Sequence, residues 1–259
     1  MTWTDAVSRV LKTPSACVPD GCLMIGITND HTRNLTTIGL SRLPPCAAAR
    51  TLVYDASDAC PASANRHCGP ALRASSFREN DYIQLIWLKW PLVRDAMRRA
   101  RAVLYAEADV LFFQNPWRSV AASWEFDIVY EDDSLRPPVR MNTGLFFLRS
   151  LELAEFALAQ RPATFNNSNP LDQKVIYDAM VKRGRFKHRS LPQAQFRSHC
   201  WVRCNLAPTP PGAVAFHPNC MTYPNKMRTV QSALADYLAP GTATRTLLHP
   251  KCNGREIVR

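Results

Sequence analysis

The feature that most narrows the fold of this chain is a set of short, unbroken apolar runs separated by helix-length segments. Cys22–Thr28 (CLMIGIT), residues 51–54 (TLVY) and residues 102–105 (AVLY) show no polar face. A strand made of such a run is buried on both sides, as in a parallel sheet covered by crossover helices. Between the runs, residues 34–43 read as a short amphipathic helix stopped by Pro44-Pro45. Residues 79–89 carry Tyr82, Leu85, Ile86 and Leu88 at helical spacing, and Pro91 is expected to kink or restart that helix through residue 100. Residues 55–76, rich in Ala, Ser, Cys and Pro, read as a long irregular loop. Strands follow at 128–130, 144–148 and 213–216, with helices at 151–160 and 226–238. A further helix is expected with Asn169 as its cap and Pro170, Asp172 and Gln173 in its first turn. The alternation predicts an α/β fold with a mostly parallel sheet.

At 259 residues the chain suffices for one large domain, read here as 1–259, with a core at about 22–238 and a basic part at 180–259. No apolar run approaches the ~20 residues of a membrane span. Residues 1–17 lack the apolar stretch of a signal peptide. An integral membrane protein, a disordered tail and a small disulfide scaffold are excluded. Neither GxGxxG nor GxxxxGK[ST] occurs, which weighs against a dinucleotide fold and a P-loop kinase.

The net charge of +11 lies wholly in residues 180–259, where thirteen basic residues face only Asp236 and Glu256. Such a field attracts an anion: a nucleotide diphosphate, an acidic polysaccharide, a phospholipid surface or a nucleic acid. It is also what a solvated basic face looks like. Nucleic acid is the weakest of these, because no helix-turn-helix, zinc finger or RNP-type aromatic motif is present. The nine cysteines include the local pairs Cys17/Cys22, Cys60/Cys68 and Cys200/Cys204. None forms CxxC, so a structural zinc site is disfavoured against free thiols or local disulfides. The sequons Asn34-Leu-Thr36 and Asn166-Asn-Ser168 and the cysteines lean towards a secretory lumen. That compartment, for instance the Golgi, fits if the chain is a trimmed fragment; otherwise the cytoplasm fits.

The chemistry concentrates at Glu107-Ala108-Asp109, which follows the third apolar run. In open α/β sheets ligands bind at the carboxyl ends of strands. Two carboxylates there can hold Mg²⁺ or Mn²⁺ against a diphosphate, although acidic-x-acidic also occurs in solvated turns. Glu131-Asp132-Asp133 reads as an acidic loop after the strand at 128–130, with Asp132-Asp133 either a rival metal site or a solvated loop. Trp87, Trp90 and Trp117 read as packing residues.

Residues 89–116 (KWPLVRDAMRRARAVLYAEADVLFFQNP) bring these features together. They resemble the nucleotide-diphospho-sugar transferases of GT-A fold, most closely the plant and algal arabinosyl-, galactosyl- and xylosyltransferase-like type. The likeness continues in order through MNTGLFFLRS at 141–150, Leu171-Asp172-Gln173 and AFHPNC at 215–220. It implies a single domain with a mostly parallel central sheet, helices on its flanks and a Rossmann-like nucleotide-binding half. It also implies transfer of a sugar from a nucleotide diphosphate, typically UDP, to a hydroxyl of a glycan or glycoprotein. By the same resemblance Glu107, Asp109 and His217 are metal ligands, with Glu107 standing where the family usually has Asp. Thr28 and Asn29 occupy the nucleotide-base loop, Asn142 and the neighbouring Thr143-Gly144 line the sugar pocket, and Asp172 and Gln173 contact the donor sugar. Lys226 reaches the diphosphate, and Lys89 has a structural or phosphate-linked role. The rival readings are a metal-dependent nucleotidyltransferase and a non-catalytic carbohydrate- or nucleotide-binding protein of the same fold.

Overall fold

The computed structural model describes residues 2–61, 63–73, 80–134, 139–166, 169–198, 212–219 and 223–239. Cys200, Cys204, Cys220 and Cys252 lie outside them.

Seven strands form the main sheet: β1 (Cys22–Thr28), β2 (Thr51–Asp55), β3 (Arg66–Cys68), β4 (Ala102–Glu107), β6 (Ile128–Asp132), β7 (Met141–Leu148) and β8 (His188–Ser190). Their spatial order is β3-β2-β1-β4-β7-β6-β8. Every neighbouring pair is parallel except the two that β7 makes, with β4 and with β6. A smaller sheet, β5-β10-β9, is built from β5 (Leu111–Phe112), β9 (Phe196–Ser198) and β10 (Ala215–His217).

The apolar runs are unbroken because both faces of the main sheet are covered. Leu23, Ile25 and Ile27 of β1 join Val103 and Tyr105 of β4 in one core, beneath α1 (Trp3–Lys12), α4 (Asn80–Met97) and α6 (Leu151–Ala159). Cys22, Met24, Leu104 and Ala106 point the other way, towards Phe112, Phe196 and Ala215 of the smaller sheet. This is the period-two alternation of a strand with a hydrophobic layer on each side. A third cluster, Leu35, Leu111, Phe113, Phe216 and Val230, seats the smaller sheet between α2 (Arg33–Leu40) and the last helix, α8 (Tyr223–Leu238). The remaining helices are α3 (Pro45–Ala48), α5 (Trp117–Val120) and α7 (Asp172–Tyr177). No helix among the described residues is long and apolar enough to cross a membrane.

Several expectations are corrected. Pro91 does not restart its helix: α4 runs from Asn80 to Met97 with the proline inside it, and Trp87, Trp90 and Val93 bury their side chains on either side. The expected loop at 55–76 contains β3, which pairs with β2 and carries the Cys60–Cys68 disulfide. Cys17 bonds Cys46, not Cys22. Cys22 opens β1, its side chain points into the core, and burial pushes its thiol up to about 11. The helix expected at 34–43 ends at Leu40, before Pro44, and Pro44-Pro45 instead starts α3, since proline suits a first helical turn. Leu171, not Asn169, is the N-cap of α7. Helix α1 was missed altogether. Its signal was present: a Thr2–Asp5 capping box, and Trp3, Ala6, Val7 and Val10 at helical spacing.

Gly39 marks the closest approach of α2 to the chain entering β5. A Cβ there would lie 2.3 Å from the Val110 carbonyl oxygen. Gly39→Ala must therefore shift the helix, and thermal denaturation is expected to show a loss of about 1–3 kcal/mol.

Candidate functional site

Strand β4 ends at Glu107, and the chain turns at once, with Val110 N–H donating to the Glu107 carbonyl at 3.1 Å. The turn brings Asp109 back beside Glu107. The chain then enters β5, whose Leu111 faces Phe216 of β10, and this pairing delivers the next residue, His217, to the same place. The ligand atoms of Glu107, Asp109 and His217 lie within 4.8 Å of one another, and no other such trio of metal-ligating groups occurs among the described residues. His217 Nε2 stands 3.3 Å from Asp109 Oδ1 and 3.6 Å from Glu107 Oε2.

Two observations test whether a cation suits this trio. His217 Nε2 is buried and has no hydrogen-bond partner, although it faces two carboxylates. The space is also kept open by a glycine. Gly144 of β7 sits beside Glu107, and a Cβ on it would come within 2.4 Å of His217 Cε1 and 2.7 Å of Glu107 Oε2. Two carboxylate donors and one imidazole suit a divalent ion such as Mn²⁺ or Mg²⁺. The extra methylene of Glu107 does not prevent the three groups from converging.

Lysines balance the carboxylates of the site. Burial would raise the Glu107 carboxyl, but Lys89 and His217 bring it down to about 2. Burial likewise opposes ionisation of Asp109, yet Lys226 and His217 hold it well below the usual carboxylate range. Burial would lower His217, but Glu131 and Asp109 outweigh this and raise it well above the ordinary imidazole value. The Glu131 carboxyl is itself pushed up to about 7, by burial.

The remaining expected residues fall around this centre, several with their side chains already engaged. Lys89 is 1% exposed. Its Nζ lies 3.2 Å from Glu107 and 3.2 Å from Asp172, and it donates to the Thr143 carbonyl at 2.9 Å. It sits beneath the site as a buried counter-ion. Asp172, in the first turn of α7, accepts from Trp90 Nε1 at 2.9 Å and from Thr143 Oγ1 at 3.0 Å. Gln173 follows it, half-buried. Asn142 is buried; its amide donates to Asp133 at 2.8 Å and its carbonyl accepts from Gly144 N–H at 2.6 Å. Thr28 and Asn29 end β1 and are buried. Thr28 bonds Thr36 at 2.9 Å, and the Asn29 side chain spans Thr32 and the Leu72 carbonyl, so both shape the loop. Lys226, on α8, pairs with Asp109. Trp87, Trp90 and Trp117 are buried, as packing residues should be.

Asp132 and Asp133 form neither a rival metal site nor a solvated loop. Asp132 belongs to β6 and binds Ser134 and the Arg140 N–H. Asp133 is buried and accepts from Asn142, Ser198 and Asn219. Gly144, expected with Asn142 and Thr143 along the sugar pocket, lies between His217 and Glu107. Glu131 escaped sequence reasoning, because it read as one acid among three.

The sequence model of the nucleotide-diphospho-sugar transferase family matches residues 58–230, which include Glu107, Asp109, Asp172 and His217. The chain belongs to this family. Among solved structures, the transferase fold is shared with a glycosyltransferase involved in glycosylation of the major capsid of PBCV-1. That match has a TM-score of 0.53 at 11% identity and covers 81% of this chain and 98% of that one. Mouse xyloside xylosyltransferase 1 gives a TM-score of 0.49 at 11% identity, over 77% of this chain and 98% of that one. The glycosyltransferase GlyE of Streptococcus pneumoniae TIGR4 gives 0.49 at 10%, over 83% and 63%. A search of curated proteins finds no match. At these identities the structural likeness is one of fold alone: a GT-A-like α/β domain with a mixed, mostly parallel sheet.

Two substitutions probe the transferase's site. Gly144→Ala is expected to abolish Mn²⁺ retention in equilibrium dialysis, because the new methyl occupies the space between His217 and Glu107. Lys89→Met leaves Asp172 and Glu107 without their shared counter-ion; chemical denaturation at neutral pH should show a loss of about 3–5 kcal/mol.

Proposed function

We propose that this transferase is a metal-dependent, retaining glycosyltransferase that moves a sugar from a UDP-linked donor to a hydroxyl of a glycan or glycoprotein. The observation that carries the proposal is the convergence of Glu107, Asp109 and the buried Nε2 of His217 at the carboxyl end of β4. Glu107, Asp109 and His217 would hold Mn²⁺ or Mg²⁺, and the chemistry such an ion supplies is neutralisation of charge growing on the leaving diphosphate. Within the family, the motifs at 89–116, 141–150, 171–173 and 215–220 favour the plant and algal arabinosyl-, galactosyl- and xylosyltransferase-like type.

The chain's own residues position and stabilise. The loop after β1, shaped by Thr28 and Asn29, receives the base. Asn142 and Gln173 line the sugar pocket. Asp172, held by Trp90, Thr143 and Lys89, stabilises positive charge developing on the sugar ring. In the retaining front-side scheme the bond from the anomeric carbon to the phosphate oxygen breaks. The acceptor oxygen bonds the same face of the sugar, and its proton passes to the departing phosphate. No protein base is required, so the protein acts through orientation and field. Lys226, which pairs with Asp109 at the site, would be placed to meet the diphosphate. The basic part at 180–259 suits an acidic acceptor, and the whole chain acts as one transferase domain. The Cys17–Cys46 and Cys60–Cys68 disulfides favour an oxidising lumen as its compartment.

A nucleotidyltransferase would need a glycine-rich phosphate loop after β1, and residues 27–34 contain none. Incubation with Mn²⁺ and a panel of UDP-sugars separates the readings. Sugar transfer or donor hydrolysis is expected. Release of pyrophosphate, or binding without turnover, would overturn the proposal. Asp109→Asn and His217→Ala should each lower turnover by about 100-fold or more. UDP should raise the melting temperature with Mn²⁺ but not with chelator; wild-type turnover in both variants would refute the metal assignment.

A further inference from the structure

We infer that Glu131, which the reaction itself does not use, is the positioning residue of the metal centre: it selects the nitrogen that His217 presents to the cation. The inference rests on the proposed metal site. Glu131 has no solvent exposure. A buried carboxylate is costly unless it is paired, and its Oε2 lies 2.5 Å from His217 Nδ1. In its ionised form Glu131 only accepts, and in that state Nδ1 carries the proton. The lone pair of a neutral ring is then on Nε2, the atom that faces Glu107 and Asp109.

The backbone is shaped for this contact. Tyr130 of β6 faces Phe146 of β7, yet the next residue, Glu131, faces Asn142, so the register slips at this one step. Glu131 lies on the same face of β6 as Val129, the face that packs against Phe112, Phe196 and Ala215 of the smaller sheet. Its neighbour Asp133 accepts from Ser198 at 2.6 Å and from Asn219 at 2.6 Å, one residue at the end of β9 and the other just beyond β10. The edge of β6 thus holds both the strand that bears His217 and the ring of His217 itself.

The test uses the full chain with Mn²⁺ titrated by electron paramagnetic resonance, and the melting temperature of each metal-free protein as the control for folding. Glu131→Gln keeps the shape and loses the charge. It should weaken Mn²⁺ binding by about 10–100-fold, and Glu131→Ala by at least as much. In the wild-type protein loaded with diamagnetic Mg²⁺, nitrogen NMR should find the His217 proton on Nδ1. Equal Mn²⁺ affinity in wild type and both folded variants overturns the inference, as does a proton found on Nε2. If the variants do not fold, the wild-type NMR result decides alone. A wild-type chain that retains no Mn²⁺ at millimolar concentration instead overturns the metal site on which the inference rests.

Discussion

Glu107, Asp109 and Asp172 are three carboxylates drawn together at the end of one strand, and Lys89 lets two of them coexist there. Its ammonium lies 3.2 Å from both Glu107 and Asp172 at 1% exposure. Two anions so placed would otherwise repel each other. Asp109 is balanced by a different lysine, Lys226. The division has a chemical consequence. Lys89 is fixed beneath the site between α4, β4, β7 and α7 and belongs to the scaffold, whereas Lys226 approaches from the last helix and occupies a position that a cation would contest.

The rest of the structure is arranged to hold this cluster. The main sheet brings the carboxyl ends of β1 and β4 beside the beginning of β7, so the turn at Glu107 faces Asn142, Thr143 and Gly144. The antiparallel course of β7 makes this possible: its first residues, not its last, lie at the edge where the parallel strands end. The smaller sheet then adds His217 from a distant part of the chain. It is held to the main sheet by apolar contacts at Phe112, Phe196 and Ala215 and, at the site's edge, by the acids of β6. Trp90 joins the core to the chemistry. Its ring stacks on Phe146 at 5.3 Å, and its Nε1 donates to Asp172.

Much of this was legible in the chain. The runs CLMIGIT, TLVY and AVLY announced buried strands because a strand covered on both faces has no room for polar residues. Glu107 and Asp109 stood out because two acids directly after such a run lie where a sheet binds ligands. His217, Asp172 and Asn142 came only through motif order, since nothing in their local sequence distinguishes a ligand from a capped turn. The acids at 131–133 were misread for a physical reason: a run of carboxylates looks solvated unless its partners are known, and those partners, His217, Ser198, Asn219 and Asn142, are up to 86 residues away. The expected restart at Pro91 did not occur, because local backbone preference was weighed without the tryptophans that hold the helix down.

The sequence by itself determined the class of fold, the place of the two acids at a strand end and the neutrality of the first 179 residues against the basic remainder. These properties follow from side-chain type and spacing within one element. Only the tertiary structure decided that Gly144 leaves the space between His217 and Glu107, that Lys89 serves as a buried counter-ion, that Glu131 holds the imidazole, and that Cys17 bonds Cys46. Each of these depends on the distance between residues far apart in the chain, and a one-dimensional pattern carries no such distance until strands and helices have packed.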